Sequence, residues 1–234
     1  LTKVKDGGRS IMHTGHMTTQ RPTPQILKGP GLRITPCFGA NGCPNAVLDA
    51  PTLPEQILEA VTASGFGERL QSALGGVVPM HHTVTISISY CPNGCSRPQI
   101  ADIGCIGAVS PLVSDAPCAG CGTCFDLCRE KALVANDMGC VTAVDTDACV
   151  RCGACMASCP TRTLTPGPHG FRVQLGGKLG RHPRLATECY SAVAASDIPA
   201  LAAQVLDNYL TRRHPRERLG ALMERLGPDA VLPS

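Results

Sequence analysis

The chemistry available to this chain lies in its cysteines. Cys118, Cys121, Cys124 and Cys128 follow the spacing C-x2-C-x2-C-x3-C. Cys149, Cys152, Cys155 and Cys159 repeat it, with Pro160 directly after. The stretches PCAGCGTCFDLCREKAL and ACVRCGACMASCPTRTL align as an internal repeat. Thiolates are soft ligands, and four packed this tightly suit an iron–sulfur cluster. Gly120, Gly122 and Gly153 leave room for backbone N–H groups to approach the sulfurs. Two zinc sites would use the same donors. The repeat and the Cys-Pro pair weigh towards clusters.

The spacing resembles that of bacterial two-cluster ferredoxins, in which the fourth cysteine of each run ligates the other cluster. By that resemblance Cys118, Cys121, Cys124 and Cys159 hold one cluster. Cys149, Cys152, Cys155 and Cys128 hold the second. Cys128 departs from the pattern, because Arg129 follows it instead of proline.

Four more cysteines form another set. Cys37 and Cys43 are spaced C-x5-C, and Cys91 and Cys95 are spaced C-x3-C. This pairing is similar to the sirohaem-linked iron–sulfur motif of nitrite and sulfite reductases. The stretch VQLGGKLGRHPRLA, residues 173–186, resembles a Gly-Gly strand and Pro-Arg turn of that family. An inserted ferredoxin unit resembles the anaerobic and dissimilatory-type sulfite reductases. The resemblance spans roughly residues 30–190 and implies three [4Fe–4S] clusters and sirohaem. It makes Cys95 the thiolate shared by haem iron and cluster, while Cys37, Cys43 and Cys91 bind the cluster alone. Sulfite or nitrite would be the substrate, each reduced by six electrons that no side chain can supply.

A polycarboxylate macrocycle and an anionic substrate both require positive charge. Arg9, Arg21, Lys28 and Arg33 are the candidates for substrate chemistry. Arg97, Arg172, Arg181 and Arg184, with Lys178, are the candidates beside the cofactor. Asn93 suits either a hydrogen bond to a cluster sulfur or a plain turn. Cys105, Cys140 and Cys189 sit among apolar or small residues and read as buried small hydrophobes.

These residues need a framework. Residues 1–36 carry six Lys or Arg against one acid, Asp6, and read as a basic, loop-rich arm with a short strand near 31–36. Leu53, Ile57, Leu58 and Val61 fall on one helical face, and a second helix runs from about 66 to 74. Residues 82–90, HTVTISISY, alternate as a strand ending at Cys91. A short helix is expected at 96–103 and a strand at 170–176. Ile198, Leu201, Ala202, Val205, Leu206, Tyr209 and Leu210 recur at helical spacing. Leu219, Leu222, Met223 and Leu226 do so again, with Pro215 expected in that helix's first turn.

The expected fold is α+β: a sirohaem-type nitrite/sulfite reductase half-domain (37–115 and 166–190) carrying an inserted two-cluster ferredoxin domain (116–165). The basic arm (1–36) precedes it and C-terminal helices (191–234) follow. Members of the family pair two related halves, and 36 residues before Cys37 are too few for the first. A second copy or a different subunit then completes the pocket, or the pocket has been lost. An electron-donor protein or subunit is the further partner.

Composition narrows the alternatives. The chain has 234 residues, 15 cysteines, no Trp and a net charge of +3. An odd cysteine count excludes complete internal disulfide pairing. No long basic run marks a nucleic-acid binder, and no apolar stretch of spanning length occurs. The first thirty residues lack an apolar signal region, so a reduced, cytoplasmic setting is expected. Leu1 in place of Met fits a non-standard start or a fragment. A sulfite reductase or its subunit is favoured. A nitrite reductase, a three-cluster electron carrier without sirohaem and a redox-sensing partner are the rivals.

Overall fold

The structure, a computed structural model, describes residues 23–233. Arg9 and Arg21 lie outside the described residues.

The described residues open with a tight hairpin of β1 (Leu27–Gly29) and β2 (Leu32–Pro36), in which Lys28 faces Arg33. The strand expected near 31–36 is β2, and residues 27–29, expected as loop, pair with it in the sheet. Two helices follow: α1 (Leu53–Ala63), with Pro54 in its first turn, and α2 (Phe66–Ala73). The expected apolar face is found, with Leu53, Ile57 and Val61 buried. Strand β3 (Val84–Ser89) then runs parallel to β2.

Where a helix is expected at 96–103, a single 3-10 turn at Pro98–Ile100 leads into β4 (Ile103–Val113). The reason is tertiary. Residues 103–109 are buried throughout, and β4 lies between β3 and a later strand. A strand covered on both faces reads as a continuous apolar run without period.

From β4 the chain enters the cysteine repeat. This part holds α3 (Thr123–Leu127), a hairpin of β5 (Leu133–Ala135) and β6 (Val141–Val144), and α4 (Ala154–Ala157). It leaves by β7 (Leu164–Leu175), which pairs antiparallel with β4 from Val113↔Leu164 to Ile103↔Leu175. The repeat therefore sits at the end of a long two-stranded ribbon. The return strand is longer than the expected 170–176.

Strand β8 (Thr187–Val193) was not foreseen. It crosses the boundary expected at 190 and closes a six-stranded sheet of order β1-β2-β3-β4-β7-β8. Helices α5 (Ile198–Arg212) and α6 (Leu219–Leu226) end the chain. Pro215 lies in the turn before α6, not in the helix. These helices are no separate tail. Val205, Leu206, Tyr209 and Leu222 share one core with Ile34, Ile86, Ile88 and Phe171 of the sheet and with Ile57 of α1.

All four long helices thus cover one face of the sheet. On the other face β3 presents Ser87 and Ser89, by the period of two. Both are buried, at 2% and 0% exposure, because residues 91–97 fold back over them. Ser87 Oγ donates to the Ser96 carbonyl (2.6 Å), and Ser89 Oγ meets Ser96 Oγ (2.8 Å).

At the opposite end of β3, Asp102 holds three elements together. Its carboxylate accepts the Thr85 N–H (2.9 Å) and pairs with Arg218 (3.1 Å), just before α6. Burial pulls its pKa up, while Arg218 and the Thr85 N–H pull it down. Beside it the Gly-Gly pair has a packing reason. A Cβ on Gly177 would strike the Ile100–Ala101 backbone, and one on Gly176 would strike the Arg184 guanidinium and the Met223 sulfur of α6.

Candidate metal centres

The parallel strands β2 and β3 end side by side, with Pro36 opposite Ile88. Cys37 and Cys91 therefore start from adjacent strand ends, and the loops after them carry Cys43 and Cys95. The Cys37 sulfur accepts the N–H groups of Gly39 (3.3 Å) and Tyr90 (3.4 Å). Burial raises the Cys91 thiol and the Asn93 backbone N–H opposes it, with Cys37, Cys95 and Cys43 its thiol neighbours. Asn93 thus acts through its backbone. Cys37 and Cys91 are buried, Cys43 is half-buried, and Cys95 is exposed.

In the repeat, Cys118, Cys121, Cys124 and Cys159 line one cavity, walled also by Phe125 and Val141. The fourth cysteine of the second run has joined the first three of the first run. Hydrogen bonds from the Gly120 and Val141 backbone lower the Cys118 thiol. The Thr123 hydroxyl and backbone N–H lower that of Cys121. At Cys159 burial acts upward, but donors from Leu164, Thr161 and Thr163 prevail and lower it. Cys124 is raised by burial.

Cys149, Cys152 and Cys128 are in turn the thiol neighbours of Cys155, whose own thiol burial pushes up to about 11. The Arg151 N–H reaches the Cys149 sulfur (3.4 Å), and the Ala132 N–H reaches that of Cys128 (3.3 Å). This second group abuts the sheet: Cys152 bridges Val109 of β4. Val47, whose N–H bonds the Tyr90 carbonyl, lies beside Gly153.

Among the described residues, no three His, Cys, Asp or Glu side chains are gathered as round one metal ion. Thiolates round a cluster stand farther apart, since several irons and sulfides lie between them. Soft donors, exposed or flanked by N–H groups, fit clusters in all three places.

The basic candidates separate into two kinds. Lys28 and Arg33 are exposed. Arg33 pairs in register with Thr85, which puts it on the side of the sheet where Ser87 and Ser89 point. Arg97 is exposed at φ 61°, on the loop that crosses this face. The others are engaged within the chain. Arg172 pairs with Glu188 (2.5 Å). Arg184 donates to the Gly176 carbonyl (2.8 Å) and the Thr187 hydroxyl (2.9 Å). Lys178 reaches Glu224 (3.2 Å). Residues 178–184 form a hairpin whose exposed tip carries Arg181. The Ala186 N–H bonds Gln99, so this hairpin meets the Arg97 loop.

Gln174, opposite Gly104 in the same row, was missed. It is 8% exposed, and its side-chain oxygen has no partner among the described residues. Nothing in the sequence but its place between apolar neighbours marks it. Of the three further cysteines only Cys105 is the expected buried hydrophobe, at 0% exposure, with its thiol pushed up to about 12 by burial. Cys189 is half-buried. Cys140, also half-buried, leans on the Cys118 carbonyl (3.8 Å).

Three thiol groups, one at the strand ends of a mixed sheet and two in the repeat joined to it, define an iron–sulfur protein of α+β class. The chain belongs to the nitrite and sulphite reductase 4Fe-4S domain family, whose model matches residues 31–232. It is 32% identical over 203 residues to the coenzyme F420-dependent sulfite reductase of Methanocaldococcus jannaschii, which aligns with 86% of this chain. It spans 30% of that relative. It is 27% identical over 168 residues to the dissimilatory-type sulfite reductase beta subunit of Nitratidesulfovibrio vulgaris, covering 62% of this chain and 43% of that one. The crystal structure of dissimilatory sulfite reductase I superposes with a TM-score of 0.57 at 20% identity, over 87% of this chain and 52% of that chain.

Proposed function

We propose that this chain is the sirohaem- and cluster-binding part of a sulfite-reductase-type oxidoreductase. The observation that carries the reading is the placement of Cys95. It is the exposed member of a four-thiol group, and its loop crosses the sheet face that bears Arg33. A thiolate shared by cluster and haem iron needs that position. In this reading Cys37, Cys43 and Cys91 hold a [4Fe–4S] cluster from the protein side. The two groups in the repeat hold one cluster each. When bound, these groups supply the electron storage that six-electron reduction needs.

The chain's own part is electrostatic. Lys28, Arg33 and Arg97 have no ion-pair partner among the described residues and supply positive charge to an oxyanion or a macrocycle carboxylate. The Gln174 amide adds a buried polar group with bonding capacity left over. Arg172 and Arg184 shape the rim through their internal partners. The names of the relatives favour sulfite over nitrite. No helix among the described residues is long and apolar enough to cross a membrane, and the free thiols fit a reduced compartment.

The test is anaerobic. Protein supplied with iron, sulfide and sirohaem is assayed for iron, sirohaem absorption and sulfite-dependent oxidation of a reduced artificial donor. About 12 cluster irons and one sirohaem per chain are expected. Full clusters with no sirohaem would leave the electron-carrier reading in its place.

A further inference from the structure

The two halves of the cysteine repeat supply an internal control. Ala119-Gly120 in the first run aligns with Val150-Arg151 in the second. Both Gly120 (φ 64°) and Arg151 (φ 61°) adopt the left-handed conformation. Glycine takes that conformation freely, whereas an L side chain is strained by roughly 1 kcal/mol. The first run has the unstrained residue and the second does not, although both turn the chain alike between two cluster cysteines. The Arg151 side chain makes a contact that glycine cannot make.

The surroundings differ accordingly. Gly120 lies against Met138 and Cys140, within the repeat itself. Arg151 faces the sheet. Its carbonyl accepts the Val109 N–H of β4 (3.0 Å), and its guanidinium donates to the Ser191 carbonyl of β8 (3.1 Å). Its own N–H points at the Cys149 sulfur. One residue thus touches a cluster thiol, a central strand and the edge strand.

We propose that Arg151 is a positioning residue that latches the second cysteine loop to β4 and β8 and so fixes its place against the Cys37–Cys95 site. The proposal rests on the iron–sulfur reading above for its consequence, but the latch itself is a contact within the chain. Holding the loop matters because electron transfer falls steeply with distance.

The test uses cluster-loaded full-length protein. Arg151→Gly keeps the left-handed turn, relieves its strain and removes only the side chain. Arg151→Lys keeps the charge but lacks the planar fork of donors. Iron content should match the parent in both. In Arg151→Gly, hydrogen exchange at the Val109 amide should speed up about tenfold or more, while exchange in β3 stays unchanged. The magnetic interaction between reduced clusters, read by electron paramagnetic resonance, should weaken. Arg151→Lys should recover part of both signals. Parent-like exchange and coupling in Arg151→Gly would overturn the latch, as would loss of iron, which would make Arg151 part of cluster retention instead. A parent without a cluster at the Cys37–Cys95 group would defeat the functional reading, yet the Val109 exchange comparison would still decide the latch.

Discussion

At the scale of single residues, the Cys95 thiolate carries the proposed catalytic role and Glu217 carries a pH response. Cys95→Ser substitutes a harder, poorer bridging donor. Sulfite reduction should fall about 100-fold or more, and the coupling between sirohaem and cluster should vanish. The clusters of the repeat, held by the other eight cysteines, should still bleach with an artificial donor. A variant that kept coupling and turnover would remove Cys95 from the bridging role. Glu217 is different in kind. Arg225 donates to it at 2.7 and 2.9 Å, and the His214 N–H adds a third bond. The Arg225 hydrogen bond leads in lowering its pKa from 4.5 to about 2. A depressed carboxyl contributes stability that is complete above its unfolded value and disappears as pH falls through its folded value. Between pH 4.5 and 2 that contribution should therefore be lost. Acid titration of the denaturation midpoint should show a shallower slope in Glu217→Gln than in the parent.

At the scale of elements, the buried Asp102 joins β3, β4 and the start of α6. Its side chain is 3% exposed and Arg218 is 32% exposed. Removing Asp102 leaves the Thr85 N–H without its acceptor and the one-third-exposed Arg218 without its countercharge. Asp102→Ala should destabilise by about 3 kcal/mol in chemical denaturation of the loaded protein. A loss under 1 kcal/mol would mean that the three elements are held by apolar packing alone. Arg33 belongs to the hairpin β1–β2 and to the basic face. Arg33→Glu reverses a charge beside the proposed anion site. It should weaken sulfite or sirohaem affinity by about tenfold while leaving the iron content of the repeat unchanged. An unchanged affinity would confine Arg33 to a solvated edge.

At the scale of the whole molecule, Cys95, Arg33 and Arg97 are exposed on one side of the sheet, and no second half covers them among the described residues. The chain spans 30% of one curated relative and 43% of another, so the remainder of the pocket is proposed to come from further polypeptide. Sedimentation of sirohaem-loaded protein should then show a dimer or a complex with another subunit. A monomer that retains sirohaem and turns over sulfite would contradict this.

The cysteine runs were legible because spacings of two and three residues bring three thiols and their backbone N–H groups together locally, whereas the fourth thiol of each group arrives from the other run. The amphipathic helices and the alternating strand before Cys91 were legible for a similar reason, since their periods are set by backbone geometry. The buried strand β4 was not, because burial on both faces erases the period, and β8 showed no signal distinct from a loop. Three matters were decided only by tertiary structure. Residues 91–97 fold back over Ser87 and Ser89 and turn a polar strand face into an interior one. Arg172 and Arg184 take partners within the chain, while Arg33 and Arg97 stay open. Arg151 meets β8 across 40 residues of sequence. Each depends on which distant backbone groups come within hydrogen-bond reach, and residue order does not encode that distance.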